Sequence, residues 1–294
     1  MPGSGRFRAQ SFGELLDSTF TVYRRKFLPI LAITALFELP YLVVEFFAER
    51  SPLATLLNLS TQAQPTTTAA ALHELGTLTA ALLVILAVSL GYYILLMPLA
   101  QGGVIRVVSD DYLDRPTGVG PGLGTALSRI RALIGYVLLE LLIGVGPIVV
   151  GFGIALLAGS SGLLLLFLLA WVVWVIFVFI KMCLGIQAVV LERLPPSAAV
   201  RRSFHLTAGS YWRIFLFYVV IIVVSSILSG VLGGLTGLFI GAAPAITQAS
   251  IEVVTSGAIS IFTSPFILIL LTLVYYDIRI RREAFDIEML AQSL

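Results

Sequence analysis

Six runs of predominantly apolar residues, each long enough to cross a bilayer, dominate this sequence: Phe27–Phe47, Leu78–Gly102, Ala132–Ala158, Leu163–Val190, Ile214–Gly241 and Ile251–Tyr276. A span needs roughly 20 such residues. In hydrocarbon the backbone must satisfy its own hydrogen bonds, so each run is expected as a helix. Only 12% of the 294 residues are charged, whereas a water-soluble domain carries about 25%. The expected class is all-α, a polytopic membrane protein with six transmembrane helices. The fifth run is glycine-rich in its second half, which can also be read as a separate short segment.

Orientation follows from the cations in the connections. Arg6, Arg8, Arg24, Arg25 and Lys26 precede the first run; Arg106, Arg115, Arg129 and Arg131 fall at or between the second and third. Arg193, Arg201, Arg202 and Arg213 lie between the fourth and fifth, and Arg279, Arg281 and Arg282 follow the sixth. Of the 18 Lys and Arg, this leaves only Arg50 on the other side and Lys181 inside a span. Both termini are therefore expected in the cytoplasm. The chain divides into a cytoplasmic interfacial segment (1–26), a six-span domain (27–276) and a cytoplasmic C-terminal helix (277–294). The first run contains Glu38 and Glu45 and lacks a cleavage site, so it is expected to stay as a span.

Three inner segments share a design: Ser11–Lys26, Pro121–Arg131 and Pro196–Arg213 each precede an odd-numbered span, begin with small or turn residues and end in arginine. Such segments suit short interfacial amphipathic helices with their cations toward anionic headgroups of the inner face. Arg24, Arg25, Lys26, Arg129, Arg131, Arg201, Arg202 and Arg213 are the headgroup candidates. The layout can be read as three units of interfacial helix plus helical hairpin, or as the basic flank that any cytoplasmic loop carries. On the other side, Glu49–Gly76 reads as a flexible or short-helical excursion, and Gly159–Gly162 as a tight turn.

Ionisable residues inside spans are costly, which makes Glu38, Glu140 and Lys181 intramembrane polar candidates. At 1.5 Å per residue, Glu38 lies about 18 Å beyond Lys26 and Glu140 about 13 Å beyond Arg131. Lys181 lies about 16 Å before Glu192. Similar depths allow Lys181 to pair with either acid, as a functional site or as a buried ion pair. Gly233, Gly237 and Gly241, at four-residue spacing, are expected to pack helix against helix. No metalloprotease, phosphate-loop or cysteine-cluster motif is present. The acidic group in SDDYLDRP reads as a helix end and turn. No catalytic residue, metal, cofactor or nucleic-acid partner is expected.

The last apolar run passes into VYYDIRIRREAFDIEML. A continuing helix would pair Asp277/Arg281, Arg279/Glu283 and Arg282/Asp286 at i,i+4, each contributing a few tenths of a kcal/mol. Ile278, Phe285 and Met289 line one side, and Ile280, Ala284 and Ile287 another. This pattern reads as a helix wedged between two surfaces, with Ile278, Phe285 and Met289 as docking candidates for a protein partner or a second copy.

Three stretches, SFGELLDSTFTVYRRKFLPIL, AVRRSFHLTAGSYWRIF and LVYYDIRIRREAFDIEML, resemble a bacterial integral membrane domain family associated with glycerophosphodiester phosphodiesterases. The resemblance implies a multi-pass protein of the bacterial plasma membrane. It does not carry the phosphodiesterase activity, which in that family belongs to a separate soluble barrel whose motif these stretches lack. The first functional expectation is a non-enzymatic scaffold or lipid-interacting protein at the cytoplasmic face. The alternative is a small transporter or lipid-translocating protein with a mid-membrane polar site.

Overall fold

The computed structural model describes residues 8–61, 68–240 and 243–283, and among these there is no strand. Helices follow in the order α1 (Phe12–Arg25), α2 (Phe27–Thr61), α3 (Thr68–Gly91), a π turn (Tyr92–Leu96), α4 (Met97–Tyr112), α5 (Val119–Ser128) and α6 (Ile130–Leu157). Then come α7 (Ser161–Met182), α8 (Gly185–Leu191), α9 (Pro196–Thr207), α10 (Tyr211–Ile240) and α11 (Ala245–Glu283). Six stretches are long and apolar enough to cross a membrane, and each overlaps one of the six apolar runs. Span two joins α3, the π turn and α4; span four joins α7 and α8; span five is one unbroken helix, not two segments.

Each of the three inner segments contains a helix: α1, α5 and α9 precede spans one, three and five, and Arg129, Arg131 and Arg213 lie beyond α5 and α9. Helix α1 starts at a capping box. The Ser11 hydroxyl accepts from the Glu14 amide at 3.3 Å, and the Glu14 carboxylate accepts from the Ser11 amide at 2.7 Å. This satisfies two of the amides that a helix start leaves without partners. The Ser11 amide, aided by Arg8, holds the Glu14 carboxyl down at about 2. A depressed carboxyl contributes fully above its unfolded value of about 4.3 and loses that contribution as pH falls through the folded value. The first turn of α1 should therefore loosen between about pH 4 and pH 2. Ser11→Pro suits the backbone φ of −70° at that position and removes the amide. It should move the Glu14 midpoint, followed by NMR of the labelled carboxyl, toward the ordinary range; an unmoved midpoint contradicts the assignment.

Spans three and four form the expected hairpin. Gly159 takes φ +60°, a left-handed conformation that glycine adopts without a Cβ clash, and the Ser160 amide returns to the Ala155 carbonyl at 3.2 Å. On the arginine-rich side, α2, α4 and α5 meet where Gly103 and Gly122 face one another across Ile33. A Cβ on Gly122 would stand 3.0 Å from the Gly103 carbonyl. Glycine is what lets three helices approach this closely.

Helix α11 is the mast of the arginine-rich end. Every residue from Ile269 to Ile278 is buried, including Tyr275, Tyr276 and Asp277. Ile278 lies in the chain's own core with Leu15, Leu206 and Phe217, so it is not a surface for a partner. Of the two-sided pattern in the tail, Ile278 and Ile280 are described, and both pack against this chain's own helices. Phe285, Met289 and Asp286, the expected partner of Arg282, fall outside the described residues.

Ion pairs tie these helices together. Asp277 accepts from Arg213 at 2.8 Å, from Arg281 at 2.9 Å and from the Gln10 amide at 2.7 Å. Arg202 bridges Glu192, at 2.8 Å, and Glu283, which also takes Arg279 at 3.1 Å. Asp111 pairs with Arg25 and with Lys26 at 3.5 Å, and Asp110 with Arg106 at 2.9 Å. Four headgroup candidates, Arg25, Lys26, Arg202 and Arg213, are thus engaged by acids of the chain, and Arg129 donates to the Leu194 carbonyl at 3.0 Å. The sequence pattern registers a cation's side of the membrane but not an acid folded against it. Arg24, Arg131 and Arg201 are exposed and have no ion-pair partner among the described residues.

Candidate functional site

The π turn in span two has a local cause. Pro98 brings no amide for the Ile94 carbonyl, and its ring crowds the turn before it. Widening the helix over Tyr92–Leu96 relieves this, and π turns recur at functional sites. Two successive tyrosines thereby serve two different acids. Tyr92 lines a cleft with Glu38 of α2, and Tyr93 a cavity with Glu140 of α6.

Span four is interrupted too, between Met182 and Gly185. The carbonyls released there find hydroxyls on neighbouring helices. Ser203 on α9 donates to Lys181 at 2.7 Å and accepts from the Leu184 amide at 3.2 Å, while Tyr136 on α6 donates to Met182. Gly185 is the position against which the Tyr136 ring packs; a Cβ there would overlap the phenol.

Both interruptions open on one cavity of about 180 Å³. Five of the six spans contribute to it, through Tyr93, Gln101, Tyr136, Glu140, Gln187 and Tyr218 among others. Gln187 is 1% exposed, and its carbonyl oxygen has no hydrogen-bond partner among the described residues. An orphan acceptor buried this deeply is costly, so each such atom calls for an explanation. Glu140, on α6, brings a carboxyl to the lining of the same cavity. The arrangement suits a small guest that brings N–H or O–H donors, and a cationic one best.

Glu38 belongs to a separate cleft of about 250 Å³ shared with Tyr41, Glu45, Tyr92, Ser256 and Ser260. Ser264 donates to its carboxylate at 2.9 Å, and Tyr41 donates to Glu45 at 2.8 Å while stacking on Tyr92 with ring centres 4.0 Å apart. Ser256 also lines a third cleft with Gln248 and Glu252, toward the end of α11 remote from the arginines. Polar side chains therefore recur from that end to the π turn, where Tyr92 and Tyr93 look onto the two acids.

Lys181 pairs with neither acid. Its ammonium lies 5.9 Å from the ring centres of Phe177 and Tyr211, in a groove on another side of the bundle. Depth along the membrane was comparable, but azimuth was not. Phe179 and Cys183 line the Glu140 cavity, and Lys181, two residues from each, points about 200° away on the helix. Gly233 and Gly237 do not pack helix on helix either: a Cβ at either would meet nothing within 4 Å, and both line the cleft with Glu252. Gly241 lies outside the described residues. Of the cavity's polar residues, only Glu140 was singled out from the sequence. Gln101 and Gln187, amides inside or beside apolar runs, carried a readable signal; the tyrosines did not, since tyrosine also populates membrane interfaces.

Comparison with family models, with curated proteins and with solved structures finds no match.

Proposed function

We propose that this is a non-enzymatic multi-pass membrane protein that binds a small donor-bearing solute, a cation or amine, in the Glu140 cavity and moves it across the membrane. The observation that carries this reading is the Glu140 carboxyl in a cavity shared with Tyr93, Gln101 and Gln187, where a π turn and a broken helix converge. Interrupted helices around polar groups in the membrane are how transporters expose backbone and side-chain ligands. In this reading the arginine-rich end faces the cytoplasm of a bacterial cell, closed by the Arg202 and Asp277 ion pairs. Solute arrives from the other end past Glu252, Ser256 and Glu38. The proposal agrees with a membrane domain of the resembled kind, whose catalysis would reside in a separate domain.

Proteoliposomes loaded with a pH-reporting dye and offered labelled methylammonium test it. The intact chain should carry methylammonium or protons faster than empty vesicles, and Glu140→Gln should reduce that flux about tenfold. That is the scale of one hydrogen bond to a charged group. Equal flux in the intact chain, the variant and empty vesicles sinks the proposal.

A second reading, a lipid-interacting scaffold of the inner face, is favoured by Arg24, Arg131 and Arg201, which remain exposed when the other five headgroup candidates are engaged.

A further inference from the structure

Between α7 and the first turn of α10 lies an open groove of about 520 Å³, lined by Val173, Ile176, Phe177, Lys181, Tyr211 and Trp212. Its walls are apolar or aromatic and face outward from the bundle: Val173 is 70% and Trp212 76% exposed. One charge stands in it. Lys181 has no ion pair among the described residues, and its two aromatic neighbours lie near the outer limit for cation–π attraction. The ammonium sits where span five begins, because Tyr211 is the first residue of α10, and the Lys181 carbonyl is held by Ser203 of α9. Tryptophan and tyrosine concentrate at this level, where headgroups meet acyl chains. A cation at that level attracts anionic headgroups of the leaflet, and the bilayer itself provides them.

We propose that this groove holds one anionic phospholipid, its phosphate on Lys181, its headgroup beside Trp212 and an acyl chain along Val173, Ile176 and Phe177. A net anionic lipid fits better than a zwitterionic one, whose phosphate already has its own cation, and exposed Arg201 on adjacent α9 adds positive charge without a described acid to cancel it. The site stands on a different side of α7 from the Glu140 cavity, so either proposal can fail without the other.

Native mass spectrometry of the full chain, released from vesicles of equal phosphatidylglycerol and phosphatidylcholine, tests it. The intact chain should retain phosphatidylglycerol about tenfold over phosphatidylcholine, on the scale of one charge-assisted contact. Lys181→Arg should keep that ratio and Lys181→Gln should bring it near one. Val173→Trp, which fills the groove at an exposed position and leaves Lys181 in place, should lower retention of both lipids and serves if Lys181→Gln does not fold. An unchanged ratio in Lys181→Gln, unchanged retention in Val173→Trp, or no preference in the intact chain overturns the proposal. So does displacement of the lipid by millimolar inorganic phosphate, which would make this a free-anion site.

Discussion

Replacing Asp277 with alanine should lower the unfolding free energy of the solubilised protein by about 2–3 kcal/mol, the largest loss expected from any one charge in this chain. Asp277 is 3% exposed and receives two guanidiniums and a backbone amide. Removing one partner of a buried pair costs about 3–5 kcal/mol when the other is left without solvent. Here Arg213 and Arg281 are 27% and 41% exposed, which allows partial rehydration and lowers the figure. The loss should extend beyond α11, because Arg213 and Arg281 both also donate to the Gln10 carbonyl. The chain just before α1 should come loose with the carboxylate. Denaturant titration of the variant, with proteolysis near residue 10 as a local readout, checks both parts. Stability within about 0.5 kcal/mol of the intact chain would mean that these pairs are ordinary surface ion pairs.

Gly185→Ala should cost about 2–4 kcal/mol, combining overpacking of about 1–3 kcal/mol with a lost hydrogen bond of about 1 kcal/mol. The added methyl falls on the Tyr136 phenol, and Tyr136 is 1% exposed, so the ring can yield only into the cavity that it lines. If the ring shifts, its hydroxyl leaves the Met182 carbonyl at the break in span four. The cavity wall then deforms, and the transport proposed for it should fall along with stability. Tyr136→Leu removes the obstacle, so Gly185→Ala should be nearly neutral in that background. Two variants in direct contact are expected to be this far from additive. Costs that simply add in the double variant would place the effect of Gly185 elsewhere.

The spans were legible because hydrocarbon imposes a length on every crossing helix and leaves little else to choose. The three short helices were legible in place, but only α1 ends on arginines; Arg129 and Arg131 fall after α5, and Arg213 in α10. The failures share one cause. In water an amphipathic helix reveals its buried face by its apolar stripe, but in a membrane both the lipid side and the packed side are apolar. Lys181 and Glu140 could be placed at a depth and not at an azimuth. Gly233 and Gly237 show the same ambiguity: spacing makes a close approach available, and only the neighbouring helix decides whether one occurs. Gly103, Gly122, Gly135, Gly185 and Gly257, in no repeating pattern, are among the places where neighbours came close.

The tail divides the same way. Its sequence by itself determined that a helix would continue past Tyr276 and carry the Asp277/Arg281 and Arg279/Glu283 pairs, because i,i+4 contacts depend on helical pitch alone. Only the tertiary structure decided that Arg213 and Gln10 would also converge on Asp277, and that Ile278 would be buried in the chain's own core. Those contacts join residues more than sixty positions apart, and no local spacing encodes them. The same holds for the cavity, whose walls come from five spans and whose orphan Gln187 oxygen becomes visible only once the surrounding helices are in place.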